Sequence, residues 1–447
     1  MEKTKIAILG LGTVGSGVAR LLLDQGDHIA RHAGRTLWLE KAVVRNMGKV
    51  RDCDLPAGVL TDCLDEVIEN SEIAVVAQLI GGIEPARTIM LRLLESGKDV
   101  VTANKALLAE CGSELFDRAR ELGRSIAFEA AVAGGVPIVA NICQCLSANA
   151  IQSLEGILNG TSNFILSQMV SMGTSYEDAV AEAQRLGFAE ADPAMDVDGS
   201  DAAQKLAILA QLAFGTRVAW DEIPRQGIDT LDLSDVQYAH QMGYQIKLLA
   251  VARRRADEVE LHVSPTLVRS GSPLAGVQGA YNAVSVVGDA VGDVFFHGLG
   301  AGQMPTASAV VADLIDTAVG RTALTFGSLE LWSGSQAESH TSSSKSQIGK
   351  MGNYADVTGR FYLRVMVHDH PGVLAQVMTA LGTQNISIAS VLQHEIDEPQ
   401  DGVREAEVVP LVIMTHVTTE GAVSQACQAI NSLDAVRGDT VRMWVRE

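Results

Sequence analysis

Over the first 130 positions, short apolar runs alternate with stretches whose apolar residues recur every three or four places. The runs at 5–9, 37–45, 73–79, 99–102 and 125–129 have strand length and are rich in Val, Ile and Ala. Helical spacing over 14–24, 84–96 and 105–122 fills the intervals between them. Strand–helix–strand alternation predicts a parallel, doubly wound α/β sheet and a first domain over 1–130. The pattern then changes. A strand at 150–158 and helices at 175–186 and 200–214 precede strand-like runs at 246–253, 260–268, 283–287 and 291–296. That mixture predicts an α+β domain over 131–303, and a helical pattern at 304–319 is expected to pack back on the first domain.

Residues 333–359 are Ser/Gly-rich with few large apolar side chains, which predicts a linker. Beyond it the runs follow the order strand 361–367, helix 372–381, strands 386–394 and 408–417, helix 422–432 and strand 441–445. This βαββαβ order predicts a third, ferredoxin-like domain over 360–447.

Two segments imitate membrane signals. The first 23 residues place lysines before an apolar run, but four glycines break the run. Residues 130–154 carry no charge, yet Gly134, Gly135 and Pro137 interrupt them and Asn141, Gln144, Ser147 and Asn149 add polarity. A buried strand, a turn and a helix are expected there, in a soluble, cytoplasmic chain.

Composition sharpens this without altering it. The 447 residues are 47% hydrophobic and 20% charged, enough for several cores. Acidic residues outnumber basic ones by 54 to 34, a net charge of −20, which disfavours nucleic acid and anionic lipid as partners. Six cysteines (Cys53, Cys63, Cys111, Cys143, Cys145 and Cys427) are too sparse for a disulfide framework and read as buried, reduced thiols.

Candidate chemistry begins with GLGTVG at 10–15, which follows a strand and opens a helix. Gly10 permits the tight turn, Gly12 lets a pyrophosphate approach the backbone, and Gly15 allows close packing. The helix N-terminus then faces the phosphates. This points to a Rossmann-type dinucleotide site. The second strand ends in Arg45 and Asn46 with no acid, so Arg45 is either a contact for a 2′-phosphate, favouring NADP(H), or a solvated surface residue.

Lys105 opens the helix after the 99–102 strand, where ligands sit in such sheets and where a cation opposes the helix dipole. Further on, Glu190, Asp192, Asp196, Asp198 and Asp201 precede Lys205. DVDG at 196–199 resembles part of a calcium loop. Alignment on Gly199 puts Ala194 and Lys205 at ligand positions, so that reading fails. Asp201 and Lys205 lie four apart on one helix face. They form either an exposed ion pair or, because the helix is mostly apolar, a desolvated acid–base pair.

These motifs together resemble homoserine dehydrogenase. GLGTVG, LIGG (79–82), VTANKALLA (101–109), FEAAVAGGVPI (128–138), GILNGTSNFIL (156–166), AEADPAMDVDGSDAAQKLAIL (189–209) and GLGAGQMPTASAVVAD (298–313) occur in the family's order. VHDHPGVLAQVMTALGTQNISIASVLQHE resembles an ACT domain, as in monofunctional bacterial members. The resemblance implies reversible reduction of L-aspartate 4-semialdehyde to L-homoserine with NADP(H), NAD(H) being the second candidate, in threonine, methionine and isoleucine biosynthesis. It makes Lys205 the proton donor and Lys105 its assistant. Glu190 and Asp201, with Asp196, would hold the substrate. Thr13, Val14, Gly81, Gly187 and Gly302 join Gly10, Gly12, Gly15, Arg45 and Lys105 as cofactor contacts. Backbone oxygens of Glu129, Val132, Gly134 and Val136 would bind sodium. Threonine would inhibit through Asp369, Gly372, Val373, Asn385 and Ile386, often across paired ACT domains, in a homodimer or homotetramer.

Two rivals stand beside this reading. Aspartate-semialdehyde dehydrogenase acts on the same aldehyde but needs an activated cysteine, and none has a recognisable context. A non-catalytic nucleotide and amino-acid sensor would leave both lysines and the acidic segment without a task.

Overall fold

Strand β1 (Lys3–Leu9) is the centre of a six-stranded sheet with β2 (Thr36–Val43), β3 (Leu60–Thr61), β4 (Ile73–Gln78), β5 (Asp99–Thr102) and β6 (Ile126–Ala127). Their order is β3-β2-β1-β4-β5-β6 and every pairing is parallel. Ile6 to Leu9 are wholly buried, as strands covered on both faces require. The chain reverses direction of sheet growth between β1 and β4, so ligand space opens at the carboxyl ends of those strands.

This computed structural model describes residues 2–327, 349–393 and 408–447. They form two compact units, one from residues 2–160, 201–223, 281–327 and 349–350, the other from 161–200, 224–280, 351–393 and 408–447. In the first unit, helix Thr13–Asp24 packs against helix Gln303–Ala318. Ala307, Val310 and Leu314 share one core with Ile6, Ile8, Val18 and Val101. A Cβ on Gly17 would come within 2.9 Å of the Ala307 Cβ, so glycine is what lets the two helices approach. Strands β7 (Ile151–Ile157), β10 (Tyr281–Gly288) and β11 (Gly292–Leu299) add an antiparallel sheet, with β10 in the middle.

The uncharged 130–154 segment differs from expectation. It holds a single-turn helix at Glu129–Ala131, then Ile138–Ala140 running into a π-helical turn at Asn141–Cys145. No strand forms before β7 begins at Ile151, and Ala133 and Gly134 both take positive φ, at 54° and 52°.

In the second unit β8 (Tyr244–Arg255) and β9 (Glu258–Arg269) form a long antiparallel hairpin. Past the short strand β12 (Lys350–Met351) come β13 (Thr358–His368), helix Val373–Thr383, β14 (Ile388–Leu392), β15 (Val408–Thr415), β16 (Thr418–Thr419), helix Glu420–Asn431 and β17 (Val441–Arg446). The four main strands are ordered β17-β13-β15-β14, all antiparallel, with both helices contributing to one core beneath them. This is the ferredoxin-like unit. Strand β17 also pairs in parallel with β9, Trp444 opposite Thr266.

Of the 333–359 span read as linker, 333–348 lie outside the described residues. The remainder is ordered: the Gly352 amide donates to the Val259 carbonyl, Tyr354–Asp356 forms a helical turn, and Val357 is buried. A second tie is electrostatic. Asp235, wholly buried near the start of helix Leu233–Gln241, accepts a two-pronged pair from Arg364 on β13 at 2.6 and 2.8 Å. The Tyr362 hydroxyl donates to it at 2.8 Å and the Asp232 amide at 2.9 Å.

Candidate active site

Helix Lys105–Glu121 and helix Ser200–Phe214 bring together the two lysines and one of the acids singled out above. The Asp201 carboxylate bridges them. Its Oδ1 lies 3.0 Å from Lys105 Nζ, and its Oδ2 accepts from Lys205 Nζ at 2.7 Å and from Asn159 Nδ2 at 2.8 Å. Lys205 Nζ also donates to the Leu158 carbonyl at 2.6 Å. The Asp201 side chain is 9% exposed, Lys205 13% and Lys105 34%. Burial alone would raise the Asp201 carboxyl. The charges of Lys205 and then Lys105, with hydrogen bonds from Lys205 and Asn159, outweigh it and hold the group well below the usual carboxylate range. Asp201, expected to grip substrate, is therefore engaged by the lysines themselves. An ammonium has three donors. Lys205 engages two among the described residues.

Lys105 is placed by residues the sequence reading passed over. Asn104 caps its helix by accepting from the Leu107 amide at 3.1 Å, while Asn104 Nδ2 donates to the Ile80 and Gly82 carbonyls at 3.0 and 2.6 Å. Gln78 and Thr102, both buried at strand ends, hydrogen-bond each other at 3.0 Å, and Gln78 also holds the Ile80 carbonyl. The Gly81 loop is thus fixed to the start of the lysine helix. An Asn immediately before a helical run was the available signal for Asn104. Asn159 had none, because its partner is 42 residues away.

The glycine loop stands at the head of β1. Gly10 takes φ +95° and its amide donates to the Val43 carbonyl, bringing the end of β2 alongside. A Cβ on Gly15 would fall 2.0 Å from the Gly10 carbonyl oxygen, so the close contact is between helix and loop. At Gly12 a Cβ would meet nothing within 4 Å, which leaves open space in front of the helix. Thr13 and Val14 begin that helix. Gly302, with φ +117°, precedes helix Gln303–Ala318, whose first residue touches Gly17. Arg45 is exposed just past β2 and has no hydrogen bond or ion pair among the described residues.

The other candidate residues are distributed as follows. Gly187, Glu190 and Asp196 belong to the second unit. Glu190 is exposed and its carboxylate is unpaired among the described residues, whereas the Asp196 carbonyl accepts from the Ser162 hydroxyl. Asp198 accepts from the Ser200 amide and hydroxyl at 2.7 and 2.9 Å, a helix-start role rather than a metal one. Asp369, Gly372 and Val373 precede or open helix Val373–Thr383, while Asn385 and Ile386 follow its end. Eleven residues at about 1.5 Å each separate the two groups by roughly 16 Å, so no single amino acid touches both within one chain.

The Glu129 carboxylate caps the amides of Val139 and Ala140 at 2.9 and 2.7 Å. The Glu129 and Val136 carbonyls accept from the Val132 and Ile138 amides. Val132 and Gly134 are buried, and their carbonyls accept no hydrogen bond among the described residues. Orphaned buried carbonyls of this kind fit a hard cation. No group of three or more His, Cys, Asp or Glu side chains gathers as a metal site among the described residues.

The cysteines correct one expectation. Only Cys427 is buried; Cys63 and Cys145 are exposed and the other three are half-buried, all as free thiols. Burial pushes the Cys143 thiol up to about 12 and Cys427 to about 11, the reverse of an activated nucleophile.

Comparison with known proteins assigns the whole chain. A model for homoserine dehydrogenase matches residues 137–315, one for the homoserine dehydrogenase NAD-binding domain matches 10–129, and one for the ACT domain matches 361–435. The homoserine dehydrogenase of Pseudomonas aeruginosa is 44% identical over 452 residues, covering 100% of both chains. The chain belongs to the homoserine dehydrogenase family. A homoserine dehydrogenase structure from Thiobacillus denitrificans superposes with TM-score 0.87 at 41% identity, covering 100% of this chain and 99% of that one. A hyperthermophilic archaeal homoserine dehydrogenase, solved in complex with NADPH, matches at TM-score 0.59 and 27% identity over 71% of this chain and 98% of its own. As a homoserine dehydrogenase the protein is an oxidoreductase with a NAD(P)-binding domain and an ACT domain. No helix among the described residues is long and apolar enough to cross a membrane.

Proposed function

We propose that this enzyme interconverts L-aspartate 4-semialdehyde and L-homoserine, and that Lys205 delivers the proton. The observation that carries this reading is the Lys105–Asp201–Lys205 bridge, with one Lys205 donor unengaged among the described residues. A nicotinamide cofactor held at the glycine loop would supply or accept the hydride at the carbonyl carbon. As the carbon–oxygen double bond opens, charge gathers on oxygen. Lys205 gives that oxygen a proton, becoming a neutral amine that solvent reprotonates, and Lys105 stabilises the charge beside it. Asp201 keeps two ammonium groups together that would otherwise repel. Glu190, whose carboxylate is unpaired among the described residues, is the residue assigned to the substrate ammonium, and Asp196 belongs with it.

Gly10, Gly12, Thr13, Val14, Gly15, Gly81, Gly187 and Gly302 are the proposed cofactor contacts, with Arg45 selecting NADP(H) over NAD(H). The carbonyls of Glu129, Val132, Gly134 and Val136 would hold a sodium ion, whose charge would steady this buried turn. For the ACT domain, the 16 Å division of the five effector residues favours a threonine site shared between two copies of the chain. The enzyme is then a homo-oligomer of the cytoplasm under feedback control.

The deciding experiment is a kinetic matrix of NADPH and NADH against aspartate semialdehyde, and of NADP and NAD against homoserine, each repeated with L-threonine. Turnover in both directions, faster with the phosphorylated cofactor and inhibited by threonine, is expected. Oxidation of the semialdehyde in place of reduction, or cofactor binding without turnover, would overturn the reading.

A further inference from the structure

The Leu158 carbonyl does more than receive Lys205. It also accepts a hydrogen bond at 3.0 Å from Nδ2 of Asn282, so one oxygen is held from two sides. Asn282 stands near the start of β10, beside the β10–β7 pairing of Ala283 with Ile157. It is 1% exposed, an amide buried in a sheet. Its orientation is fixed by chemistry: the atom facing a carbonyl must be the donor, so the NH2 group points to Leu158. A Cβ added to Gly300 would fall 2.1 to 2.3 Å from the Asn282 amide atoms, so Gly300 lacks a side chain where that amide sits.

The other end of the amide is the informative one. Asn282 Oδ1 is buried with no hydrogen-bond partner among the described residues. An orphaned acceptor of this kind carries an uncompensated desolvation cost, whereas leucine has nearly the same shape and leaves nothing unsatisfied. Sheet stability alone therefore does not account for asparagine here. What asparagine supplies and leucine cannot is a donor for the carbonyl that anchors Lys205.

Proton transfer depends on direction. Two of the three Lys205 donors are fixed by Asp201 and Leu158, and tetrahedral geometry then fixes the third. If the Leu158 carbonyl drifts, the third proton drifts with it.

We propose that Asn282 is a positioning residue for the proton donor, aiming the Lys205 ammonium through the Leu158 carbonyl. This rests on Lys205 being the proton donor. The test compares the full-length wild type with Asn282→Leu and Asn282→Ala. NADPH sites are counted, and their Kd measured, by fluorescence titration; kcat per site is then taken with aspartate semialdehyde. Expected is a fall in kcat per site of about 10- to 100-fold in both variants, with the NADPH Kd within twofold of wild type. Two results would overturn the proposal: kcat per site within twofold of wild type, or a kcat loss matched by an equal change in NADPH Kd or site number. Should Asn282→Leu fail to fold, Asn282→Ala is read alone, and failure of both assigns Asn282 to folding and rejects the proposal. Lys205→Ala, measured alongside, separates the two levels. Retained turnover there removes the underlying reading, whereas its loss beside an unaffected Asn282→Leu removes only this one.

Discussion

Two buried aspartates do different work in the two units. Asp235 faces the planar fork of Arg364, the Tyr362 hydroxyl and the Asp232 amide, and no part of it is exposed. Burial, then the Asp235 charge and hydrogen bond, hold the Tyr362 phenol far above its usual value, so that group stays a donor. Asp201 faces two lysines and an amide instead. A guanidinium gripping a carboxylate at two points has little left to offer a third molecule, whereas an ammonium is a point charge with spare protons. One aspartate saturates its partner; the other leaves its lysine partners with donors not engaged among the described residues. Burial and pairing are common to the two carboxylates; what differs among the described residues is the capacity their partners leave unengaged.

The comparison predicts opposite consequences for similar substitutions. Lys205→Ala should lower kcat by about 10²- to 10⁴-fold while a thermal melt stays near that of wild type, and Asp201→Asn, which removes the counter-charge, should lower kcat by a similar factor. Comparable activity in Asp201→Asn would show that the lysines do not need their bridge. Asp235→Ala should do the reverse, stranding a buried arginine and destabilising the second unit by about 3–5 kcal/mol in a denaturant titration. A loss under 1 kcal/mol would place Asp235 among surface pairs.

A smaller effect belongs to a cation with no carboxylate partner among the described residues. Arg45→Ala should raise the KM for NADPH about 10- to 100-fold and leave that for NADH nearly unchanged, the loss of one charge-assisted contact. Equal losses with both cofactors would reassign it to the solvated surface. The mildest prediction concerns Lys247, buried against Asn163 at 3.0 Å and the Val277 carbonyl, whose ammonium burial pushes down to about 8. Between that value and the ordinary lysine range the unfolded chain holds more protons than the folded one. Stability should therefore rise with pH in this window, by on the order of 3 kcal/mol. Lys247→Met should flatten that rise, as measured by unfolding at several pH values.

Local pattern made much of this legible. The 99–102 strand coincides with Asp99–Thr102, and the 105–122 helix overshoots Lys105–Glu121 by one residue, because periodicity and helix punctuation are local signals. The Asp201–Lys205 pair was readable from its spacing, though not its link to Lys105, which required the two helices to meet. The segment after Glu129 misled because an uncharged run reads alike as strand or helix, while the positive φ of Ala133 and Gly134 leaves no trace in composition. Asn159 and Asn282 were invisible for another reason. Each acts on a partner more than forty residues away, Asn159 on the Asp201 carboxylate and Asn282 on a backbone carbonyl that any sequence possesses.

Strand β17 has six residues, yet it lies between two strands of opposite sense, β9 on one side and β13 on the other. Without it, both neighbours would present open rows of amides and carbonyls, and such edges recruit further chains. The strand that unites the sheet of the second unit is therefore also its guard against aggregation.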